Sequence, residues 1–266
     1  MERPLLADVA ATIERYAPLQ LQESYDNTGW QVLCDPAARC SGVLTCVDAT
    51  PAVIAEAIER GFNMVLSHHP VMFRGQKSFT GDTVVQRTVM EALRAGVSVY
   101  SCHTAIDSAP GGVSAEMARM LGLTDIRPLS VHSADPSAGL GVTGILPVPL
   151  SPGSLAELVK GTFGTPVARC SRPSDPISEI SRIALCGGSG SEFLPLAVSC
   201  GAGAYITSDT RHHDFVDFSP YIFIIDIGHW EAESCTRALF ARVLRESCPG
   251  LPMADAGADR APIIYL

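Results

Sequence analysis

The hydrophobic positions along the chain follow two spacings, one typical of helices and one typical of buried strands. In residues 5–16, apolar side chains recur every three or four positions, which predicts an amphipathic helix. Residues 43–47 and 64–66 are short apolar runs typical of buried strands. Residues 51–60, which lie between these runs, have helical periodicity. The first part of the chain therefore predicts a βαβ unit.

The same alternation continues along the chain, interrupted by one segment of different composition. Strands are predicted at residues 97–101, 183–186 and 204–207, and helices at 83–95, 192–200 and 236–245. Residues 127–175 are richer in proline, serine and glycine, with predicted strands at 139–146 and 166–170 and a helix at 155–162. Residues 262–266 are predicted to form a closing strand.

Strands that alternate with helices predict an α/β protein whose sheets are covered by helices. We expect two related α/β lobes with mixed, mostly parallel sheets. The first lobe comprises residues 1–126 plus 230–266 and the second residues 127–229, with no inserted extra domain. The intervals from Cys46 to Ser67 and from Cys186 to Ser208 are nearly equal, which favours an internal duplication, although generic βαβ lengths also give this spacing.

Composition narrows the functional classes. The 266 residues are 47% hydrophobic, which provides material for a globular core. The formal net charge of -9 argues against a broad nucleic-acid or anionic-membrane surface. Nine cysteines without a C-x-x-C pair are typical of reduced thiols in a cytosol. We find no signal peptide and no apolar run of the roughly 20 residues that a membrane helix needs, so we expect a cytoplasmic protein without a membrane partner.

Side chains that bind metals follow the predicted strands in three short segments. The candidate ligands are His68, His69, Asp107, His229 and Glu233. Because ligands of open α/β sheets bind at the carboxyl ends of the strands, we expect these side chains to converge. Imidazole nitrogens and carboxylate oxygens together suit divalent zinc, iron, manganese or cobalt.

The arrangement of these residues predicts two cations and hydrolytic chemistry. Neighbouring side chains on a regular strand face opposite ways, so His68 and His69 need an irregular turn before Pro70, where they could serve two ions. Glu233 lies one helical turn after His229, and its two oxygens can bridge a pair of cations. Such a pair leaves coordination positions for water and substrate, as in binuclear hydrolases.

Other residues offer alternatives. His212 and His213 form a competing pair that could be the ligands by spacing alone. His132 lies in a polar loop, and we expect it to be merely exposed. Cys102 and Cys235 flank the candidate ligands, but ordinary packing is favoured. The glycine-rich residues 187–191 are similar to a phosphate-binding turn, although they lack the complete motif and a simple tight turn is favoured.

Four motifs resemble those of the Nif-three-like family, the GTP cyclohydrolase one type two homologues. They are Asp26-Asn27-Thr28-Gly29, Ser67-His68-His69-Pro70 with Phe73, His103-Thr104-Ala105-Ile106-Asp107 through Pro110-Gly111-Gly112-Val113, and Asp226-Ile227-Gly228-His229 to Glu233. The likeness spans nearly the whole chain. It implies a Nif-three-like fold and a ring-shaped homohexamer with its metal sites facing the interior.

The resemblance also implies a role for each candidate ligand. His68 and Asp107 would serve one ion and His69 and His229 the other, with Glu233 bridging the two. His212 and His213 would line the cleft without binding metal. The implied cofactor is two divalent cations per subunit, zinc, iron or manganese.

The function we expect is that of a dinuclear metal-dependent hydrolase acting on a small phosphate- or nucleotide-bearing molecule. His103 and Asp209 are the candidates for orienting ligands or transferring protons. The alternatives are a GTP cyclohydrolase-type ring opening and a non-catalytic hexameric scaffold that binds metal.

Overall fold

Strands and helices follow one another along the chain in a computed structural model that describes residues 3–172 and 179–266. The strands are β1 (Gly29–Val32), β2 (Val43–Cys46), β3 (Met64–Ser67), β4 (Ser98–Ser101), β5 (Thr124–His132), β6 (Asp135–Leu150), β7 (Arg169–Cys170), β8 (Ile180–Ser189), β9 (Ala204–Ser208), β10 (Phe223–Asp226) and β11 (Met253–Asp255). The α-helices are α1 (Leu6–Tyr16), α2 (Pro51–Glu59), α3 (Val84–Ala95), α4 (Thr104–Ser108), α5 (Val113–Met120), α6 (Pro152–Phe163), α7 (Leu194–Ser199), α8 (His212–Phe218), α9 (His229–Glu233) and α10 (Cys235–Ser247). Short 3-10 helices occupy Leu19–Leu21 and Ser191–Phe193.

The chain divides into two compact units. The first unit comprises Met1–Ile106 and Thr236–Arg260, and the second comprises Asp107–Cys235 and Ala261–Leu266. The predicted lobes differ in that they place residues 107–126, 230–235 and 261–266 with the first part of the chain. The predicted domain boundaries stay a prediction. Residues 1–2 and 173–178, which the predicted lobes include, lie outside the described residues.

The first unit contains a five-stranded sheet in the order β1-β4-β3-β2-β11. Only β1 is antiparallel to its neighbour, and the other pairings are parallel. Every residue of β2, β3 and β4 is buried, as expected for strands of a parallel sheet covered by helices. Because β3 and β4 are parallel and Ser67 pairs with Ser101, the carboxyl ends of these two strands lie side by side.

Local capping fixes the helices of the first unit. The side chain of Thr50 accepts a hydrogen bond of 3.3 Å from the N–H of Val53, and Pro51 occupies the first turn of α2. Helix α3 ends at Gly96, whose φ of 70° is the left-handed conformation that terminates helices. Both helices pack their apolar faces on the core of the sheet, around Val53 and Val89.

The second unit contains a six-stranded mixed sheet in the order β5-β6-β8-β9-β10-β7. Parallel pairing is confined to β8 with β9 and β9 with β10. The other neighbours are antiparallel, because β5 and β6 form a hairpin around residues 133–134 and β7 pairs with β10 at the opposite edge. Helices α5 and α9 contact β8, and α7 packs on the cluster that contains Leu194 and Tyr205.

The predicted fold class is confirmed, since both units are α/β with mixed sheets covered by helices. Several details differ from our expectation. Strands β1 and β10 were not predicted. Strand β5 lies in the segment where we predicted no strand before residue 139. The closing strand predicted at residues 262–266 is wrong, because that segment has no strand and the sheet edge beside β2 is occupied by β11.

Among residues 3–172 and 179–266, every helix is too short or too polar to cross a lipid bilayer.

Candidate metal centre

Two adjacent histidines leave β3 in an ordered turn. The N–H of His68 donates to the carbonyl of Cys46 at 3.0 Å, and the N–H of His69 donates to the carbonyl of Val47 at 2.9 Å. The hydroxyl of Ser67 donates to the carbonyl of His69 at 2.9 Å. These bonds continue the pairing with β2 beyond the end of β3, so the backbone of both histidines is fixed.

The imidazole rings of both histidines are held through Nδ1. His68 Nδ1 lies 3.2 Å from the carbonyl oxygen of Cys102, and His69 Nδ1 lies 2.9 Å from Oδ1 of Asp48. A carbonyl or carboxylate oxygen can only accept, so Nδ1 is the protonated nitrogen in each neutral ring. The lone pair of each ring is therefore at Nε2, the atom that a metal would use.

His103 is held in the same way by a buried carboxylate. Its Nδ1 lies 2.7 Å from Oδ1 of Asp26, whose side chain is fully buried. Asp26 also accepts hydrogen bonds from the hydroxyl and N–H of Thr104 at 2.6 and 3.0 Å and from the hydroxyl of Thr28 at 3.0 Å. Burial raises the pKa of Asp26, but the hydrogen bonds from His103 and Thr104 outweigh it and hold the pKa well below its usual value.

The three histidines form one cluster in the first unit. Each offers a ring nitrogen, and these nitrogens lie within 4.8 Å of one another. The ring centroids of His68 and His69 are 4.9 Å apart, and that of His103 lies 5.3 and 5.4 Å from them. The turn after β3 thus places neighbouring side chains together, and the cluster could hold a metal ion.

In the second unit, His229 begins α9 and contacts two carboxylates. Its Nδ1 lies 2.6 Å from Oδ2 of Asp209, and its Nε2 lies 3.0 Å from Oε2 of Glu233. Glu233 is four residues later, on the same face of the helix. Asp209 has a φ of 54°, in the left-handed region that aspartate tolerates better than most residues. Asp209 therefore contacts the imidazole of His229 from a left-handed backbone conformation.

A glycine makes room for the buried carboxylate of Glu233. Gly188 has a φ of 67°, and a Cβ added there would lie 2.1 Å from Oε1 of Glu233. The hydroxyl of Thr207 donates to the carbonyl of Gly188 at 3.0 Å and fixes this peptide. Residues 187–189 extend β8, and the space above Gly188 is filled by a carboxylate instead of remaining open as a phosphate cradle.

Asp107 lies half-buried in α4, in an acidic region of the second unit. Burial raises the pKa of the Cys235 thiol to about 12, and the carboxylates of Glu116, Glu233 and Asp107 act in the same direction. Burial raises the pKa of the Cys186 thiol as well, with Asp107 and Glu233 contributing. Asp107 and Glu233 therefore act on the same two thiols, which remain protonated and unsuited to bind metal as thiolates.

The other histidines have different surroundings. His212 and His213 are exposed at the start of α8, with their ring centroids 5.4 Å apart. His132 accepts a hydrogen bond of 3.2 Å at Nδ1 from the N–H of Ala134 in the turn between β5 and β6. Neither arrangement holds Nδ1 as a donor to a fixed oxygen, which distinguishes these residues from the candidate ligands.

The sequence predicted Asp209 as a residue that could orient a ligand, but it missed Asp26 and Asp48. Asp26 opens one of the motifs quoted for the family resemblance, which was a signal that it mattered but not of what it contacts. Asp48 carries no comparable signal, since it lies outside the four quoted motifs, two residues after the end of β2.

Comparison with known proteins identifies the relatives of this chain. The model of the Duf34/NIF3 (NGG1p interacting factor 3) family matches residues 4–255. A Lactococcus lactis protein named GTP cyclohydrolase 1 type 2 homolog is 33% identical over 259 residues, 97% of this chain and 98% of the relative. A Clostridium perfringens protein of the same name is 32% identical over 229 residues, 86% of each chain.

Solved structures share the fold. The crystal structure of a Staphylococcus aureus hypothetical protein matches with a TM-score of 0.91 at 24% identity and covers 100% of both chains. A Bacillus cereus protein related to NIF3 matches with a TM-score of 0.89 at 18% identity, again over 100% of both chains. The family model spans most of the sequence and the Lactococcus lactis relative is matched over nearly its full length, so this chain belongs to the Duf34/NIF3 family.

Proposed function

We propose that the protein binds two divalent cations and uses them to hydrolyse a small phosphate- or nucleotide-bearing substrate. The proposed ligands are those predicted from the sequence, His68, His69, Asp107, His229 and Glu233. The proposal is tested by metal stoichiometry as well as by activity.

The observation that carries the proposal is the shared arrangement of the imidazoles. His68, His69, His103 and His229 each place Nδ1 at 2.6 to 3.2 Å from an oxygen acceptor. Metal-binding histidines typically donate their second N–H to such an acceptor, which fixes the tautomer and makes the other nitrogen more basic. Four rings held in this way fit a metal centre better than they fit an ordinary polar core.

The donor set also fits the proposed metals. Neutral imidazoles and carboxylates suit zinc, iron(II) and manganese. The absence of a side chain at Gly188 leaves room for the Glu233 carboxylate. When bound, the two cations would lower the pKa of a water molecule and stabilise charge on the substrate.

Proton transfer and ligand orientation are assigned to side chains next to the proposed ligands. His103 can accept a proton at Nε2 while its Nδ1–H stays with Asp26, and the buried carboxylate then stabilises the imidazolium. Asp209 orients the ring of His229 through Nδ1. We therefore assign proton transfer to His103 and ligand orientation to Asp209.

A second candidate reaction is the hydrolytic opening of a purine ring. It is favoured by the name GTP cyclohydrolase 1 type 2 homolog that the relatives carry. This reaction uses an activated water molecule as well, and it would be recognised by formate release from GTP.

The experiment is to measure turnover of phosphodiesters, nucleotides and GTP by protein loaded with manganese, zinc or iron(II). We expect hydrolysis with at least one metal. We expect His103→Asn to lower kcat by about 100-fold while the metal content is unchanged, since general acid–base catalysis contributes about that much. His132→Ala is the matched control and should retain full activity. Absence of turnover over the whole panel with every metal would contradict the hydrolase.

A non-catalytic scaffold is distinguished from an enzyme by the response to chelation. We expect the protein to stay folded when metal is removed and to rebind two cations, as for an open catalytic site. Unfolding on chelation would favour a structural role for the ions.

We also propose a homohexamer, as the family resemblance implies. Ile263, Ile264 and Leu266 are more than half exposed, which favours burial of this segment by another subunit. Light scattering coupled to size-exclusion chromatography tests the stoichiometry, and a monomer at micromolar concentration would contradict it.

A further inference from the structure

A cavity in the second unit lies among positively charged side chains. It has a volume of about 440 Å³, and its lining includes Arg169, Arg172, His212, Phe215 and Val216. None of the described residues that line it is an aspartate or glutamate, although the formal net charge of the protein is -9. A cavity of this size is within the range of small-molecule sites.

Arg169 is held in a fixed position at the edge of the cavity. Its guanidinium forms an ion pair with the buried carboxylate of Asp226 and donates to the carbonyl of Thr210 at 3.0 Å. The guanidinium also lies over the ring of Phe215, 5.7 Å from its centroid. The side chain remains 56% exposed, so an anchored arginine still presents donors to the cavity.

Arg172 adds a second guanidinium to the lining of the cavity. It is exposed, and it makes no hydrogen bond or ion pair with residues in the described parts of the chain. His212 contributes an exposed imidazole on the same cavity. Val216, which is 53% exposed, gives the cavity an apolar wall beside these cations.

We propose that this cavity binds the phosphate group of a small phosphomonoester, with an attached apolar or heterocyclic group against Val216 and Phe215. The fixed guanidinium of Arg169 and the exposed guanidinium of Arg172 supply charge-assisted hydrogen bonds to the phosphate oxygens. None of the proposed metal ligands lines the cavity. The site is therefore separate from the proposed metal centre and does not rest on the proposed hydrolysis.

The test is isothermal titration calorimetry of the full-length protein with adenosine 5′-monophosphate, with inorganic phosphate and with neutral adenosine. We expect the monophosphate to bind more tightly than phosphate, and adenosine to bind least. Arg172→Ala should weaken binding of the monophosphate by about tenfold or more, because it removes a charge-assisted hydrogen bond.

The matched control is Arg211→Ala, which removes the same charge from an exposed residue that does not line the cavity. It should change the affinity less than about twofold, because exposed charges outside the cavity are screened. Equal effects of Arg172→Ala and Arg211→Ala would overturn the proposal, as would the absence of monophosphate binding. Binding that is lost in His69→Ala but unchanged in Arg172→Ala would also overturn it, because the anion would then be at the metal ligands.

Discussion

The histidines of the two units are held by the same kind of hydrogen bond in different surroundings. In the first unit, His68 is fully buried and His103 is held by Asp26, whose side chain is fully buried as well. In the second unit, the side chains of His229 and Asp209 are 34% and 55% exposed, and Asp209 has a left-handed backbone. A hydrogen bond that orients a histidine can therefore serve two purposes. A buried bond contributes to the stability of the fold, whereas an exposed one mainly sets the direction of a ring.

The largest effect is expected for Asp26→Asn. The amide cannot accept all the hydrogen bonds that the buried carboxylate receives, so we expect a loss of about 3 kcal/mol in the free energy of unfolding. Asp48→Asn is the matched control, because Asp48 also binds a histidine but its side chain is 48% exposed. Its loss should be below about 1 kcal/mol by urea denaturation. Equal losses would remove the distinction between buried and exposed bonds.

The carboxylate of Asp26 should also make the free energy of unfolding depend on pH. The pKa of Asp26 is lower in the folded protein than in the unfolded chain, where it is about 3.9. Its contribution to stability is therefore fully present above that value and is lost as the pH falls through the folded pKa. The difference in unfolding free energy between wild type and Asp26→Asn should be largest above about pH 5 and shrink below about pH 4. A difference that grows on acidification would be inconsistent with this assignment.

The next largest loss of stability is expected at Gly188, whose peptide contacts the carboxylate of Glu233. Gly188→Ala should cost about 2 to 4 kcal/mol, because a Cβ at 2.1 Å from Oε1 displaces the carboxylate and the backbone is left-handed. Gly201→Ala is the matched control, with a φ of 73° and open space around its Cβ position. It should cost about 1 kcal/mol from the backbone alone. Thermal unfolding of both variants separates these contributions.

The smallest effect on stability, and a clear one on metal binding, is expected for Asp209→Ala. The variant should unfold within about 1 kcal/mol of wild type, because the bond is exposed and alanine tolerates the left-handed backbone only somewhat less well than aspartate. Its affinity for zinc should fall by about tenfold, since the ring of His229 loses its orientation. Asp209→Asn keeps an acceptor oxygen and should lose less zinc affinity than Asp209→Ala. Asp217→Ala, which changes an exposed aspartate, is the control and should keep the zinc affinity of wild type. Competition with a zinc chelator measures these affinities.

Local patterns predicted most of the fold. Strands β2, β3 and β4 and helices α2 and α3 were predicted because burial of whole apolar runs and helix capping are properties of neighbouring residues. Strand β5 was missed because most of its residues are exposed or half-buried and it is stabilised by pairing with β6. The segment at residues 262–266 is apolar but exposed, so its hydrophobicity misled the prediction.

The site was predicted less completely than the fold. The convergence of the five predicted metal ligands stays a prediction. The structure groups His68 and His69 with His103, which the sequence offered only as an orienting or proton-transferring residue. Asp26 and Asp48 are 77 and 21 positions away from the rings they contact, so no local pattern connects them. The approach of Glu233 to Gly188 likewise depends on how α9 packs on β8.

The central claim is that His68, His69 and His229, each with a bonded Nδ1, bind divalent cations together with Asp107 and Glu233. The most direct test is to measure the zinc, iron and manganese bound per chain, by elemental analysis of the full-length protein purified without added metal and again after equilibrium dialysis. We predict two cations per chain for wild type and for His132→Ala, and one or fewer for His69→Ala. Trace metal in wild type, or equal metal content in wild type and His69→Ala, would contradict the account.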